Sequence, residues 1–357
     1  MSTYILPNSY LSTAAYAGFI DKGHFLSRLK TEFDWDALAA PLDRMGRNGS
    51  GGRPRHAPVL MLKMTFVSFM FGISDRDTEF AGTNNLLVKH FLGLPIDGRA
   101  PDHSSLCRWR DEVVRVMGEA YLYAAFRALV AQAKARGVEG GPVQALDASH
   151  VFADVDEKKP QDPKTPRDPD ASWGCKGNGT RTTADGGKAS IPKFFHGYKM
   201  HLVADARRGL VTAFHATTGR TADIDGGDWL VGRVMTPAER AGAKVLLADK
   251  GYGSPLWINL LEKEYGIMTA FSLPESRDGW RSPGKWEAYE GDPGRKAFRK
   301  DRYVIERVNA SLKMWHGLDR CRYLGLAKFL FQVAMSAMAH NLKIYMRELT
   351  GTRLRTA

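Results

Sequence analysis

The sequence predicts an α/β protein: a mixed five-stranded sheet with flanking helices, preceded by an all-helical N-terminal domain. Three observations carry this. From Pro58 to about Arg136 apolar residues recur at helical spacing. At Gly140 the pattern changes, and the next segments alternate with a period of two. Beyond Thr217 short apolar strands take turns with helical stretches. Hairpin-connected strands followed by crossover helices imply a mixed sheet covered by helices.

Residues 1–55 read as an N-terminal arm and linker, ending in the Gly/Arg-rich stretch RMGRNGSGGRPRH. Residues 56–140 form the helical domain. VLMLKMTFVSFMFG is apolar nearly all round, the mark of a buried helix. SDRDTEFAG opens with Ser74, a residue type that caps helix N-termini. DHSSLCRWRDEVVRVMGEAYLYAAFRALVAQAKARG opens a further helical stretch at a second capping site. Ser104, Ser105, Arg108 and Arg110 at its start suit a recognition helix in a DNA major groove, and equally an ordinary capped surface helix.

Residues 141–350 form the α/β domain. Gln144–Phe152 alternates as a strand, and the Pro-, Asp-, Lys- and Gly-rich residues 153–192 read as a long loop. Phe194–Asp205 and Leu210–Thr217 make a hairpin across ARRG. Ile224–Met235 is helical, Ala243–Ala248 a strand, Pro255–Tyr265 a helix and Ile267–Leu273 a strand. A short insert at about 274–297 reads as irregular and holds Trp280 and Trp286. Helices over about Arg299–Trp315 and Leu326–Leu349 close the chain. Three strands, helix, strand, helix, strand, helix is the order of the ribonuclease H-like fold. There the first strand is central, and a carboxylate on it sits beside one at the end of the fourth strand. Ligands of open α/β sheets collect at such carboxyl ends.

Asp147 in QALDASHV and Asp249 in VLLADKGYGS fall at those two places. Glu306 lies on the helix DRYVIERVNASLKMW, with Arg302, Asn309 and Lys313 on the same face and Ile305, Val308, Leu312 and Trp315 on a separate apolar stripe. No local motif joins the three acids, so only the fold can bring them together. Hard divalent cations prefer oxygen ligands. Two ions held by a few carboxylates can activate an attacking oxygen and stabilise a leaving one in phosphoryl transfer. The net charge of +12 favours a polyanionic partner. An acidic pocket in a basic chain therefore points to the nucleic-acid backbone.

Cys107, Cys175 and Cys321 are odd in number and far apart, which suits reduced cytosolic thiols and excludes a zinc motif or a disulfide framework. No apolar run is long enough for a membrane span, and the N-terminus lacks the pattern of a signal peptide. The expected location is the cytoplasm, at the nucleoid.

These segments resemble the bacterial insertion-sequence DDE transposases, in the four/five superfamily of insertion sequences. ALDASHVFAD is similar to the first-Asp strand, and PDASWGCKG with HGYKMHLVADARRGLV to the loop and hairpin after it. LLADKGYGS is similar to the second-Asp strand, and Arg302, Glu306 and Lys313 stand at the spacing R-x3-E-x6-K. SDRDTEFAGTNNLLVKHFLGLP and APDHSSLCRWRDEV resemble the helical N-terminal domain of the same group. The resemblance implies a transposase that binds the terminal inverted repeats of its element, cleaves the ends and joins the 3′ ends to target DNA. It implies two Mg²⁺ ions, replaceable by Mn²⁺, bridged by Asp147 and held separately by Asp249 and Glu306. It also implies double-stranded DNA as partner, no membrane, and a homodimer or larger synaptic complex. DNA contacts are expected from Arg302, Lys313, Arg299, Asn309, Ser105, Arg108, Arg110, Trp280 and Trp286. Two departures stand out: Arg299 replaces the tyrosine three residues before the arginine, and TADIDGGDW replaces an Asn-x-His-Asp stretch. Asp223 and Asp225 are accordingly given no catalytic role. A nuclease of the same fold without strand transfer, and a domesticated DNA-binding protein without catalysis, are the competing readings.

Overall fold

The change of character at Gly140 is also a change of architecture. The computed structural model describes residues 16, 18–45, 55–155, 167–182, 187–275 and 283–354. Most of the basic linker and Trp280 lie outside them. The chain divides between Glu139 and Gly140 into two compact units.

The first unit is helical. It contains α1 (Phe25–Glu32), α2 (Trp35–Ala39), α3 (Pro58–Phe71), α4 (Asp75–Asn84), α5 (Leu86–Leu92), α6 (His103–Glu112) and α7 (Gly118–Lys134). Side chains start several of these helices by satisfying free N–H groups. Ser74 accepts from Asp77 N, Asn85 from Leu87 N and Asp102 from Ser105 N. The long helical stretch of the sequence is in fact two helices. A π-helical turn, Val113–Met117, ends at Gly118, whose φ of 61° is open to glycine at little cost. Apolar α3 is buried on nearly all sides, and Trp35 packs its ring edge-on against Phe66 and Phe91. This unit also takes Trp315–Gly317 and the chain from Ala334 onward, which the sequence reading assigned to the α/β domain.

The second unit holds the sheet. Its strands are β1 (Val143–Phe152), β2 (Ser172–Thr182), β3 (Lys188–Asp205), β4 (Val211–Thr218), β5 (Val245–Leu247) and β6 (Met268–Thr269). Its helices are α8 (Asp223–Trp229), α9 (Pro237–Gly242), α10 (Pro255–Lys263), α11 (Pro283–Gly291), α12 (Pro293–Arg299), α13 (Tyr303–Trp315) and the start of α14 (Leu326–Thr350). β1 is central, antiparallel to β3 and parallel to β5. β4 lies outside β3 and β6 outside β5. The order β4-β3-β1-β5-β6 is the ribonuclease H-like topology.

Two segments differ from the sequence expectation. The stretch 153–192 is not all loop. It contains β2, which pairs with the first half of β3 as a two-stranded ribbon, making six strands among the described residues rather than five. Trp173, Cys175, Lys176, Thr180 and Arg181 are exposed on both of its faces, so it lacks the buried side that would show as alternation. The insert is not irregular where described, but forms α11 and α12. Trp286 and Tyr289 of α11 join the core formed by Leu146, Leu246, Trp257 and Phe271. The Tyr289 hydroxyl accepts from Phe271 N at 2.9 Å, and the Arg295 guanidinium lies over the Tyr289 ring and bonds Glu262.

Candidate active site

The parallel register of β1 and β5 brings two acids level. It pairs Val143 with Val245 and Ala145 with Leu247. Asp147 and Asp249 each stand two residues beyond that last pair, at the carboxyl end of the sheet. Asp249 opens a short 3₁₀ turn, Lys250–Tyr252, and accepts from Gly251 N at 2.9 Å. Asp147 is partly buried and accepts from Asn309 Nδ2 of α13 at 2.8 Å. Burial, and then the charge of Asp249, push the Asp147 carboxyl up to about 7, with Asp223 acting in the same direction. The backbone N–H of Ala148 and the charge of Arg302 oppose them. Like charges gathered in a partly desolvated place are what a bound cation relieves.

α13 presents its predicted polar face unevenly. Glu306 is exposed and ion-paired with Arg302 one turn earlier. Asn309 is buried and turned to Asp147. Lys313 is half-buried, and burial and the charge of Lys176 hold its pKa down while Asp147 and Asp319 raise it. Among the described residues no three Asp, Glu, His or Cys side chains stand close enough together, as they lie, to hold an ion.

Several of the expected DNA contacts lie in the interior or are bonded within the protein. Trp286 is 2% exposed and packed in the core, so it has no face for a base. Arg110 is buried and ion-paired with Asp75 at 3.0 Å. Arg299 donates to the carbonyls of Glu290 and Tyr289 at the end of α11. Asn309 donates to Asp147. Ser105 and Arg108 stay at the surface, where Arg108 donates to the Ser105 hydroxyl at 3.2 Å.

Other groups at the site were not singled out in the sequence. Lys199 of β3 reaches Asp223 at 2.6 Å and the Thr221 carbonyl at 2.8 Å. His150 of β1 stays neutral, its pKa lowered to about 4 by burial and by Lys313, Lys176 and Lys199. The Tyr252 hydroxyl and Asn309 Oδ1 are buried without a hydrogen-bond partner. The paired glycines Gly226-Gly227 inside a helical stretch were the readable signal of a close approach here.

A central strand with an aspartate at its middle, a parallel neighbour with one two residues past its end, and an acid-bearing helix against them define a ribonuclease H-like enzyme of the DDE class. Residues 161–342, more than half of the chain, match the family described as Transposase DDE domain, and residues 15–112 match Transposase domain (DUF772). The chain belongs to the DDE transposase family. The match begins after Asp147, so that residue's place rests on the register. A solved structure similar to this chain is the cryo-EM structure of a piggyBac transposase synaptic complex with hairpin DNA. It is 11% identical, with a TM-score of 0.44, covering 94% of this chain and 76% of that one.

Proposed function

We propose that this transposase binds the terminal inverted repeats of its own element, cleaves DNA at the ends and joins the 3′ ends to target DNA. The observation that carries the reading is the level placement of Asp147 and Asp249, with Asn309 holding the first. The donor set fits a hard divalent cation: all oxygen, one carboxyl held short of ionisation by burial and then by a like charge, and an uncommitted carboxamide oxygen. Asp147, Asp249 and Glu306 would hold Mg²⁺ or Mn²⁺, Glu306 by leaving Arg302. Two such ions, when bound, supply an activated hydroxyl and charge stabilisation for the leaving oxygen. Asn309 fixes the orientation of the Asp147 carboxyl. Arg302 and Lys313 hold DNA phosphates beside the acids, and Ser105 and Arg108 contact DNA from the helical unit. A dimer or larger assembly would bring two ends together, in the cytoplasm.

Strand cleavage and transfer on terminal-repeat DNA test this. Asp147→Asn, Asp249→Asn and Glu306→Gln should each lose both steps and keep end binding. Normal strand transfer by any one of them would remove that residue from the site. Arg302→Ala and Lys313→Ala should weaken end binding and flatten its salt dependence by about one phosphate contact each.

A further inference from the structure

Helix α8 lies unusually close to the sheet. A side-chain carbon added at Gly226 would stand 2.1 Å from the His201 ring, and one at Gly227 would stand 2.8 Å from the Tyr252 ring. Only glycines permit that approach, and it carries the first residue of the helix, Asp223, to the carboxyl end of the sheet. The same added carbon at Gly227 would stand 3.1 Å from the side chain of Leu146, the neighbour of Asp147, and Tyr252 lies three residues after Asp249. Burial, and then the charges of Asp147, Asp223 and Asp249, raise the pKa of the Tyr252 hydroxyl. That hydroxyl belongs to a side chain 1% exposed, and it has no hydrogen-bond partner. Asp223 is about half-exposed and neutralised by Lys199, itself nearly buried at 11% exposure.

We propose that Asp223 is a fourth carboxylate of the ion pocket, delivered by the glycine-backed helix and kept neutralised by Lys199 until a divalent cation takes Lys199's place. The idea rests on the reading of Asp147 and Asp249 as an ion-binding pair. It explains why a helix start with two glycines faces this pocket, and why a buried tyrosine hydroxyl is left unpartnered there. If Asp223 only anchored the helix through Lys199, its loss would alter stability and leave ion affinity alone.

Mn²⁺ titration of the full chain without DNA, read by electron paramagnetic resonance and paired with thermal melting, separates the two. Asp223→Asn should weaken Mn²⁺ binding about tenfold, the scale of losing a group that supports a metal site. Asp225→Asn, two residues along the same helix, should leave it unchanged. Lys199→Met should tighten binding, and the gain should vanish in the double variant with Asp223→Asn. Wild-type Mn²⁺ affinity in Asp223→Asn, or a gain from Lys199→Met that survives in the double variant, would overturn the proposal. Should Asp223→Asn fail to fold, Lys199→Met is compared with Lys176→Met. Lys176 bears on His150 and Lys313 of the same site; each variant removes one charge there, but only the first frees a carboxylate, so equal gains also overturn it. Asp147→Asn and Asp249→Asn should lose Mn²⁺ whatever Asp223 does. If they keep it, the underlying reading fails rather than this one alone.

Discussion

Asp147 shows how one side chain links the fold to pH. Its ordinary carboxyl value of 3.8 is raised to about 7 in the folded chain, mainly by burial and then by Asp249. Between those values the folded state holds a proton that the unfolded state has released, so stability falls as pH rises and levels off above about 7. In the absence of divalent ions, Asp147→Asn should therefore raise the melting temperature at pH 8 and do nothing at pH 4. The upper bound is about 4 kcal/mol, from roughly three pH units at about 1.36 kcal/mol each. Thermal scans at both pH values, with and without Mg²⁺, check it. A substitution that destabilises equally at both would show that the carboxyl carries no penalty. At this scale the sequence was legible for Asp147 and Asp249, because strand period and fold order fix the place of each. It was misleading for Asn309 and Arg110. A helical face says which side chains are neighbours, not whether another element covers them, and Asp147 and Asp75 cover these two.

Among the elements, α11 departs most from its sequence. Pro, Gly, Lys and two tryptophans in the segment suggested an irregular basic insert aimed at DNA. The described part is instead a lid on the sheet edge, with Trp286 edge-on to Tyr289 and the Tyr289 hydroxyl bonding Thr269 of strand β6 and the N–H of Phe271 just beyond it. Trp286→Ala should cost about 3–5 kcal/mol, the range for emptying a large aromatic site in a core. The loss should appear in chemical denaturation, with the metal-dependent cleavage rate per folded molecule unchanged at low temperature. Lost cleavage in a protein of undiminished stability would restore the base-stacking role. β2 was illegible for the opposite reason. A ribbon with Trp173 and Phe194 exposed buries too little to impose a pattern on its residues. The glycines of α8 were legible as a local oddity, but the tight approach to His201 and Tyr252 that gives them meaning is tertiary.

For the whole molecule, the division of the chain matters more than its order. Reading along the sequence assigns everything after Gly140 to the α/β domain, yet the helical unit is completed by residues near the end. His316 bonds the Phe69 carbonyl at 2.9 Å, Ser336 bonds the His316 carbonyl at 2.9 Å, and Phe33 meets Tyr345. Met335, Ala337, Met338, Leu342 and Met346 are each at most 1% exposed. Burying an apolar side chain of this size contributes about 1.5–3 kcal/mol, so removing several exceeds the stability of most domains. A chain ending at residue 333 would keep Asp147, Asp249, Glu306 and every other residue of the candidate site. It should nevertheless lose the cooperative unfolding of the helical unit. Limited proteolysis should then cut within residues 25–134 while sparing the sheet. For the same reason residues 1–140 alone should not behave as a folded DNA-binding fragment. Protection of residues 25–134 in the shortened chain, equal to that in the full one, would show that the helical unit stands without its C-terminal helix.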